Sequence, residues 1–207
     1  MEEAAVRRRT NGRSARVRRS VLNSTLRLLA EEGVDALSIA AVAAQAGVHE
    51  TSIYRRWGTR EKLMLDAILS LSETELPVPD RGSLVEDLTG LAEELCRYMS
   101  SPLGLAVARL LSTPSTDPEL ETTRAEIWHE RIAAAAAAVQ RAVDRGEARP
   151  DTDGRFVVEM LVAPIHWRVL VLQQPLEPEL PAQLAAVVAQ GIQLQSSGLN
   201  SERKEIP

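Results

Sequence analysis

Three histidines, one cysteine and scattered carboxylates set the limits of catalytic chemistry in this 207-residue chain. Glu126 and His129 form E-x-x-H, a spacing that puts both on one face of a helix and supplies half of a di-iron carboxylate site. The other half needs a second such pair, and His166 has Ala163, not a carboxylate, three residues before it. Cys96 alone builds no thiolate cage, and with His49, His129 and His166 it forms no nucleophile–base set in the sequence. A helical-bundle metal enzyme is thus the alternative reading; the expectation is a protein that is not an enzyme and holds no metal or cofactor. The other stretch with chemical potential is AGVHETSIYRRWGTREKL, residues 46–63, which gathers four basic side chains and two of the six aromatics. A solvated face has no use for the aromatics and a core rejects the arginines, so a polyanionic surface is the natural partner.

The overall charge of −5 hides a division. Residues 1–63 carry twelve Lys and Arg against seven Asp and Glu, whereas residues 64–207 carry twelve against twenty-two. A basic module for a polyanion, joined to an acidic module with another task, accounts for this asymmetry. With 44% hydrophobic residues but only 3% aromatics, and Ala, Leu, Glu and Arg dominant, the composition points to an all-α fold. The single cysteine suits a reducing compartment. Arg7, Arg8 and Arg9 precede VLNSTLRLLA, which Asn23, Ser24 and Arg27 interrupt, so it makes a poor signal-peptide core. No run reaches the roughly 18 apolar residues of a membrane span. The expectation is a cytoplasmic protein with no membrane partner.

Helical periodicity organises the basic module. Val17, Val21, Leu22, Thr25, Leu28 and Leu29 recur at helical spacing from Ser14 to Glu32, with Gly33 as a stop. Ser38 offers a cap to a second helix carrying Ile39, Val42, Ala43 and Ala46 and ending at Gly47. A third, HETSIYRRW, presents Ile53 and Trp57 on one side before Gly58, and Thr59 caps a fourth. Two short helices around a glycine turn make a helix-turn-helix over 38–57. If Val42, Val48 and Ile53 are buried together, the opposite face of helix three offers His49, Glu50, Thr51, Ser52, Tyr54, Arg55 and Arg56 to a groove.

This order of elements, with Ala-Gly-Val at 46–48, Ile53-Tyr54, an aromatic at 57, a basic residue at 60 and Leu63, resembles the DNA-binding domain of the TetR family of bacterial transcriptional regulators. The resemblance implies that Ser38, Tyr54 and Arg60 contact phosphates, Arg60 standing where the family usually has lysine. It assigns base reading to His49, Glu50, Thr51, Ser52 and Arg55. Glu50 has a second reading, stabilisation of the helix dipole. Arg56 is equally a solvated group or a partner of helix one, and Trp57 reads as core. Arginines 7, 8, 9 and 13 are either an arm on the duplex or a plain tail.

The domains are expected at 14–72, for DNA binding, and 83–198, for effector binding and dimerisation, giving about nine helices. ETELPVPDRGS is the linker. A capping box at Ser83–Glu86 opens a helix striped by Leu84, Leu88, Leu91, Leu95 and Met99, and Pro102 starts a short successor. Asp117-Pro118 introduces a long helix to about residue 147, with Leu120, Ile127, Ile132, Val139 and Val143 on its buried face. Asp153 caps a helix that bends at Pro164, and a last helix spans 181–197 with Leu184, Val187, Val188, Gly191 and Ile192 available for burial. The resemblance implies a homodimer through the last two helices, a near-palindromic double-stranded operator, and repression relieved by an unknown small-molecule effector. Candidate residues around the effector are Leu95, Met99, Leu103, Trp128, His129, Met160 and Trp167. A TetR-like dimeric scaffold without DNA binding is the remaining alternative.

Overall fold

The computed structural model describes residues 2–71 and 78–193, and side chains from residue 14 onward. Among these, nine α-helices follow in order: α1 (Glu2–Ala36), α2 (Ile39–Ala46), α3 (Glu50–Trp57), α4 (Arg60–Leu69), α5 (Leu84–Met99), α6 (Pro102–Ser112), α7 (Pro118–Asp144), α8 (Gly154–His166) and α9 (Leu180–Ile192). The described residues hold no strand, only an isolated bridge between Ala148 and Gln193. The fold is all-α.

Most starts follow from local chemistry. The side chains of Ser38, Thr59, Ser83, Ser101, Asp117 and Asp153 each accept a backbone N–H from the first turn of the helix they open. Each such cap contributes about 1 kcal/mol. Helix α1 begins earlier than periodicity implies: its backbone is helical from Glu2, and Arg7, Arg8, Arg9 and Arg13 lie within it. Gly33 (φ 80°, ψ 179°) breaks it, and a further turn follows before Ala36. Residues 73–77 of the linker, and everything from 194 on, including the expected end of the last helix, lie outside the described residues.

Two elements differ from the pattern read in sequence. Pro164 lies inside α8 and cannot donate to the Met160 carbonyl; the helix continues to His166 and then widens into a π turn over Trp167–Val171. In α9 the buried positions are Leu180, Pro181, Ala185 and Ala189, whereas Val187 is 70% exposed and Gly191 is exposed. Alanine lets α9 lie close to α5, so the larger aliphatic side chains are turned outward or left half-buried.

Three cores result. One, around Val21, Leu29, Val42, Ile53, Leu63 and Met64, joins α1–α4 and takes in Ala106 of α6. A second, around Leu88, Val139, Leu161 and Ala185, joins α5, α7, α8 and α9. The third consists of Leu65, Ile68, Tyr98, Val107, Leu111, Leu120 and Ile127 and welds α4 to α5, α6 and α7. Helix α4 is therefore buried on two sides. Leu63 and Ala67 face the first core, and Ile68 faces the third.

The segment RGEARPD, residues 145–151, clamps the second core at one end. Asp87 is fully buried; its carboxylate accepts the Arg81 N–H at 2.6 Å and faces the Arg145 and Arg141 guanidinium groups at 3.4 and 3.7 Å. Glu147 bridges Arg145 and the Leu84 N–H, both at 2.5 Å. At the tight α5–α6 corner, a Cβ on Gly104 would stand 1.9 Å from the Tyr98 carbonyl oxygen, so no larger residue fits. Gly104→Ala is expected to cost about 2–3 kcal/mol through forced separation of α5 and α6, measured by chemical denaturation; an unchanged midpoint would contradict this packing.

Candidate nucleic-acid interface and internal cavity

The turn between α2 and α3 is built by Gly47, whose φ of 68° and ψ of 38° lie in the left-handed region that side-chain-bearing residues avoid. There the Gly47 N–H reaches the Ala44 carbonyl at 3.3 Å and the Val48 N–H reaches Ala43 at 3.0 Å, closing α2. His49 takes the N-cap position of α3 without a side-chain cap bond. Ile53, with no exposed surface, and Trp57 root α3 in the first core. By helical geometry the opposite side must then face outward: Glu50, Thr51, Tyr54 and Arg55 are exposed, Ser52 is half-buried, and Tyr54 exposes 51% of its surface.

The supporting residues are specific. Asp66 of α4 accepts from the Trp57 indole at 2.8 Å and from Arg18 of α1 at 2.5 Å, so one carboxylate joins three helices behind the recognition surface. Sequence reasoning gave Asp66 and Arg18 no role, because their partners lie 48 positions apart. The Arg56 guanidinium lies 5.5 Å from the centre of the Trp57 ring and 3.4 Å from Ser14 Oγ. Ser38 is exposed at the start of α2, with its hydroxyl oxygen accepting the Ala41 N–H at 3.1 Å. Arg60 is differently employed: it donates to the Val34 and Leu37 carbonyls at 3.3 and 3.2 Å and pairs with Glu61 at 3.1 Å, tying α4 to the end of α1.

Among the described residues, α4, α5, α6, α7 and α8 also line a partly open cavity of about 320 Å³. Leu95, Met99 and Trp128 line it, as do Leu69, Tyr98, Ile127, Arg131, Leu161 and His166. Leu103 lies outside it, packed against the first and third cores. His129 is exposed, its Nδ1 accepting from Arg155 at 3.1 Å, and Met160 and Trp167 are 51% and 56% exposed on the outer side of α8 and the π turn. These three differ from Trp128 and His166 only in helical phase, which sequence alone did not fix. Tyr98, Arg131 and His166 were passed over because one aromatic, one cation and one imidazole carry no signal until α5, α7 and α8 converge.

Burial pushes the Cys96 thiol up to about 11, leaving it protonated at neutral pH. Glu126 and His129 are exposed, and among the described residues no three His, Cys, Asp or Glu gather closely enough to hold a metal ion.

A two-helix reader with an outward polar face, tied through α4 to a helical body enclosing an apolar cavity, defines a helix-turn-helix transcriptional regulator. Residues 21–67 match the family described as bacterial regulatory proteins, tetR family, and residues 78–188 match the tetracyclin repressor-like C-terminal domain. The chain is 37% identical to the HTH-type transcriptional regulator AqdR of Rhodococcus erythropolis, over 88% of each chain. It is 30% identical to the DNA-binding transcriptional repressor TetR of Mycobacteroides abscessus, over 76% of this chain and 84% of that one. The crystal structure of the TetR family transcription regulator SCO0332 superposes with a TM-score of 0.72 at 29% identity, covering 84% of this chain and 97% of that one. The chain belongs to the TetR family and is a DNA-binding transcriptional regulator.

Asp66→Ala is expected to cost about 2 kcal/mol, since it leaves the indole N–H and Arg18 without their shared acceptor. Hydrogen exchange should quicken in α3 and the facing part of α1 while α8 and α9 keep their protection. Uniform loss of protection, or none, would show that Asp66 does not hold α3.

Proposed function

We propose that the protein is a cytoplasmic, homodimeric repressor that binds a near-palindromic operator and is released by a small molecule. The single observation that carries this reading is the outward, half-exposed Tyr54 beside Arg55 on a helix whose other side is locked into the core by Ile53 and Trp57. Ser38 and Tyr54 would contact phosphates, while His49, Glu50, Thr51, Ser52 and Arg55 face base edges. Arg60, already engaged with the Val34 and Leu37 carbonyls, contributes charge at the same edge and fixes α4 rather than gripping the backbone itself. Glu50 stands in the first turn of α3, where it stabilises the helix dipole and can accept from a cytosine amino group.

Two copies follow from reach and from surface. One short helix reads too few base pairs for useful affinity, whereas two related by a two-fold axis address half-sites roughly 34 Å apart. Phe156, Met160, Trp167 and Val171 form an exposed apolar row along α8 and its π turn, and Val187 of α9 is 70% exposed. Exposed aromatic and aliphatic groups in such density call for cover, and a second copy meeting them symmetrically provides it. The repressor named in M. abscessus supports the sign of regulation.

Release requires only that the effector bind one arrangement of α4 better than the other. Leu69 of α4 lines the cavity, and Lys62 of α4 pairs with Glu119 and with Asp117 at the start of α7, whose Ile127, Trp128 and Arg131 also line it. A ligand that moves α7 against α4 therefore acts on Asp66, on Trp57 and on the angle of α3.

Two measurements test the reading. In a gel shift with the promoter region beside its own gene at moderate salt, the protein should give a sequence-specific complex, and Tyr54→Phe should weaken it about three- to tenfold, the cost of one hydrogen bond to a charged group. Absence of a specific shift would favour a scaffold without DNA binding. By light scattering at micromolar concentration the protein should have twice the chain mass, and Trp167→Glu should bring it toward that of one chain; a monomeric wild type would refute the dimer.

A further inference from the structure

One polar group in the internal cavity has its hydrogen-bonding role fixed by its neighbours. A carbonyl can only accept, so the 3.0 Å contact between His166 Nδ1 and the Val162 oxygen makes Nδ1 the donor. Burial pushes the imidazole pKa below its ordinary value; the Val162 bond opposes this and the nearby Arg131 charge adds to it. The ring is therefore neutral at pH 7, and its lone pair sits on Nε2. Among the described residues Nε2 has no hydrogen-bond partner, although the ring lines the cavity.

The charges around it are of both signs. Glu94 of α5 pairs with Arg97, Glu130 of α7 is exposed to water, and Arg131 of α7 lies 6.0 Å from the centre of the Tyr98 ring. A ligand of either charge would lose its hydration and meet a like charge as well as an opposite one, so the lining favours neither sign. Flat surfaces are available: Trp128 meets the His166 ring edge to face at 5.5 Å, and Tyr98 stands on the facing helix. A volume of about 320 Å³ lies at the small end of the roughly 300–1,000 Å³ range of ligand pockets.

Resting on the reading of this cavity as the effector site, we propose that the effector is an uncharged aromatic molecule bearing a hydroxyl or N–H group, whose hydrogen bond His166 Nε2 accepts. The cavity then selects for a donor on an apolar ring and against the same ring without one. Protonating His166 turns Nε2 into a donor and places a second cation near Arg131, in a lining that also holds Glu94 and Glu130. Affinity for the donor-bearing ligand therefore falls with acid, and because the imidazole pKa is depressed the loss is centred below that of an ordinary imidazole.

The test uses 1-naphthol and 1-methoxynaphthalene, which differ in one donor hydrogen, titrated calorimetrically into the full-length protein at pH 7.5. Wild type should bind the naphthol about tenfold more tightly. His166→Phe should reduce the preference to within about twofold, and His166→Gln, whose amide oxygen restores an acceptor, should recover at least about threefold. Equal affinities on wild type, a preference that survives His166→Phe, or no binding of either probe would overturn the proposal. If the probes fail while the same preparation shifts its promoter DNA, the effector chemistry falls and the regulator stands. If the naphthol preference holds while no DNA is bound, the repressor reading falls and the donor-selective cavity stands.

Discussion

Leu63, Met64 and Ala67 of α4 face the core of the DNA-binding helices, while Leu65 and Ile68, one residue away in each case, face the core of the C-terminal body. A ten-residue helix buried on both sides cannot shift for one core without disturbing the other. Each of the four larger side chains contributes about 1.5–3 kcal/mol through burial, so α4 is held firmly enough to transmit displacement rather than absorb it. Asp66 lies on this same helix, between the indole of Trp57 and the guanidinium of Arg18. The angle of the recognition helix is thereby set by α4, whose Leu69 also lines the cavity.

The chemistry of the two ends is opposite, which suits the division of charge along the chain. The reader needs exposed donors and positive charge in water, where phosphate contacts are strong and salt-dependent. The cavity offers a largely apolar lining in which, on the proposed reading, one hydrogen bond decides between similar ligands. On the proposed reading, both ends work through differences in binding between two arrangements of the same helices.

Local signals made the reader legible. Ser38, Gly47 and Thr59 act on the backbone within four residues of themselves, and their roles in capping and turning follow from residue type alone. The outward face of α3 was equally readable because Ile53 and Trp57 leave only one side to be polar. The cavity was less so. Leu95, Met99 and Trp128 line it, but His129, one position from Trp128, turns to Arg155 at the surface, and a rotation of about 100° per residue separates lining from solvent. Arg60 shows the same limit: its charge was plain in the sequence, while the Leu37 and Val34 carbonyls that receive it are 23 and 26 residues distant. Long-range partnerships such as Arg18 with Asp66, or Asp87 with Arg145, leave no periodic trace.

The most direct measurement is amide hydrogen exchange of the full-length protein with and without a bound promoter duplex. Protection gained at the start of α2 around Ser38 and along α3 from His49 to Arg55, extending into α4, is the predicted result. Protection confined to α5–α9, or α3 amides that exchange equally fast with DNA bound, would contradict a duplex seated on the outward face of that helix.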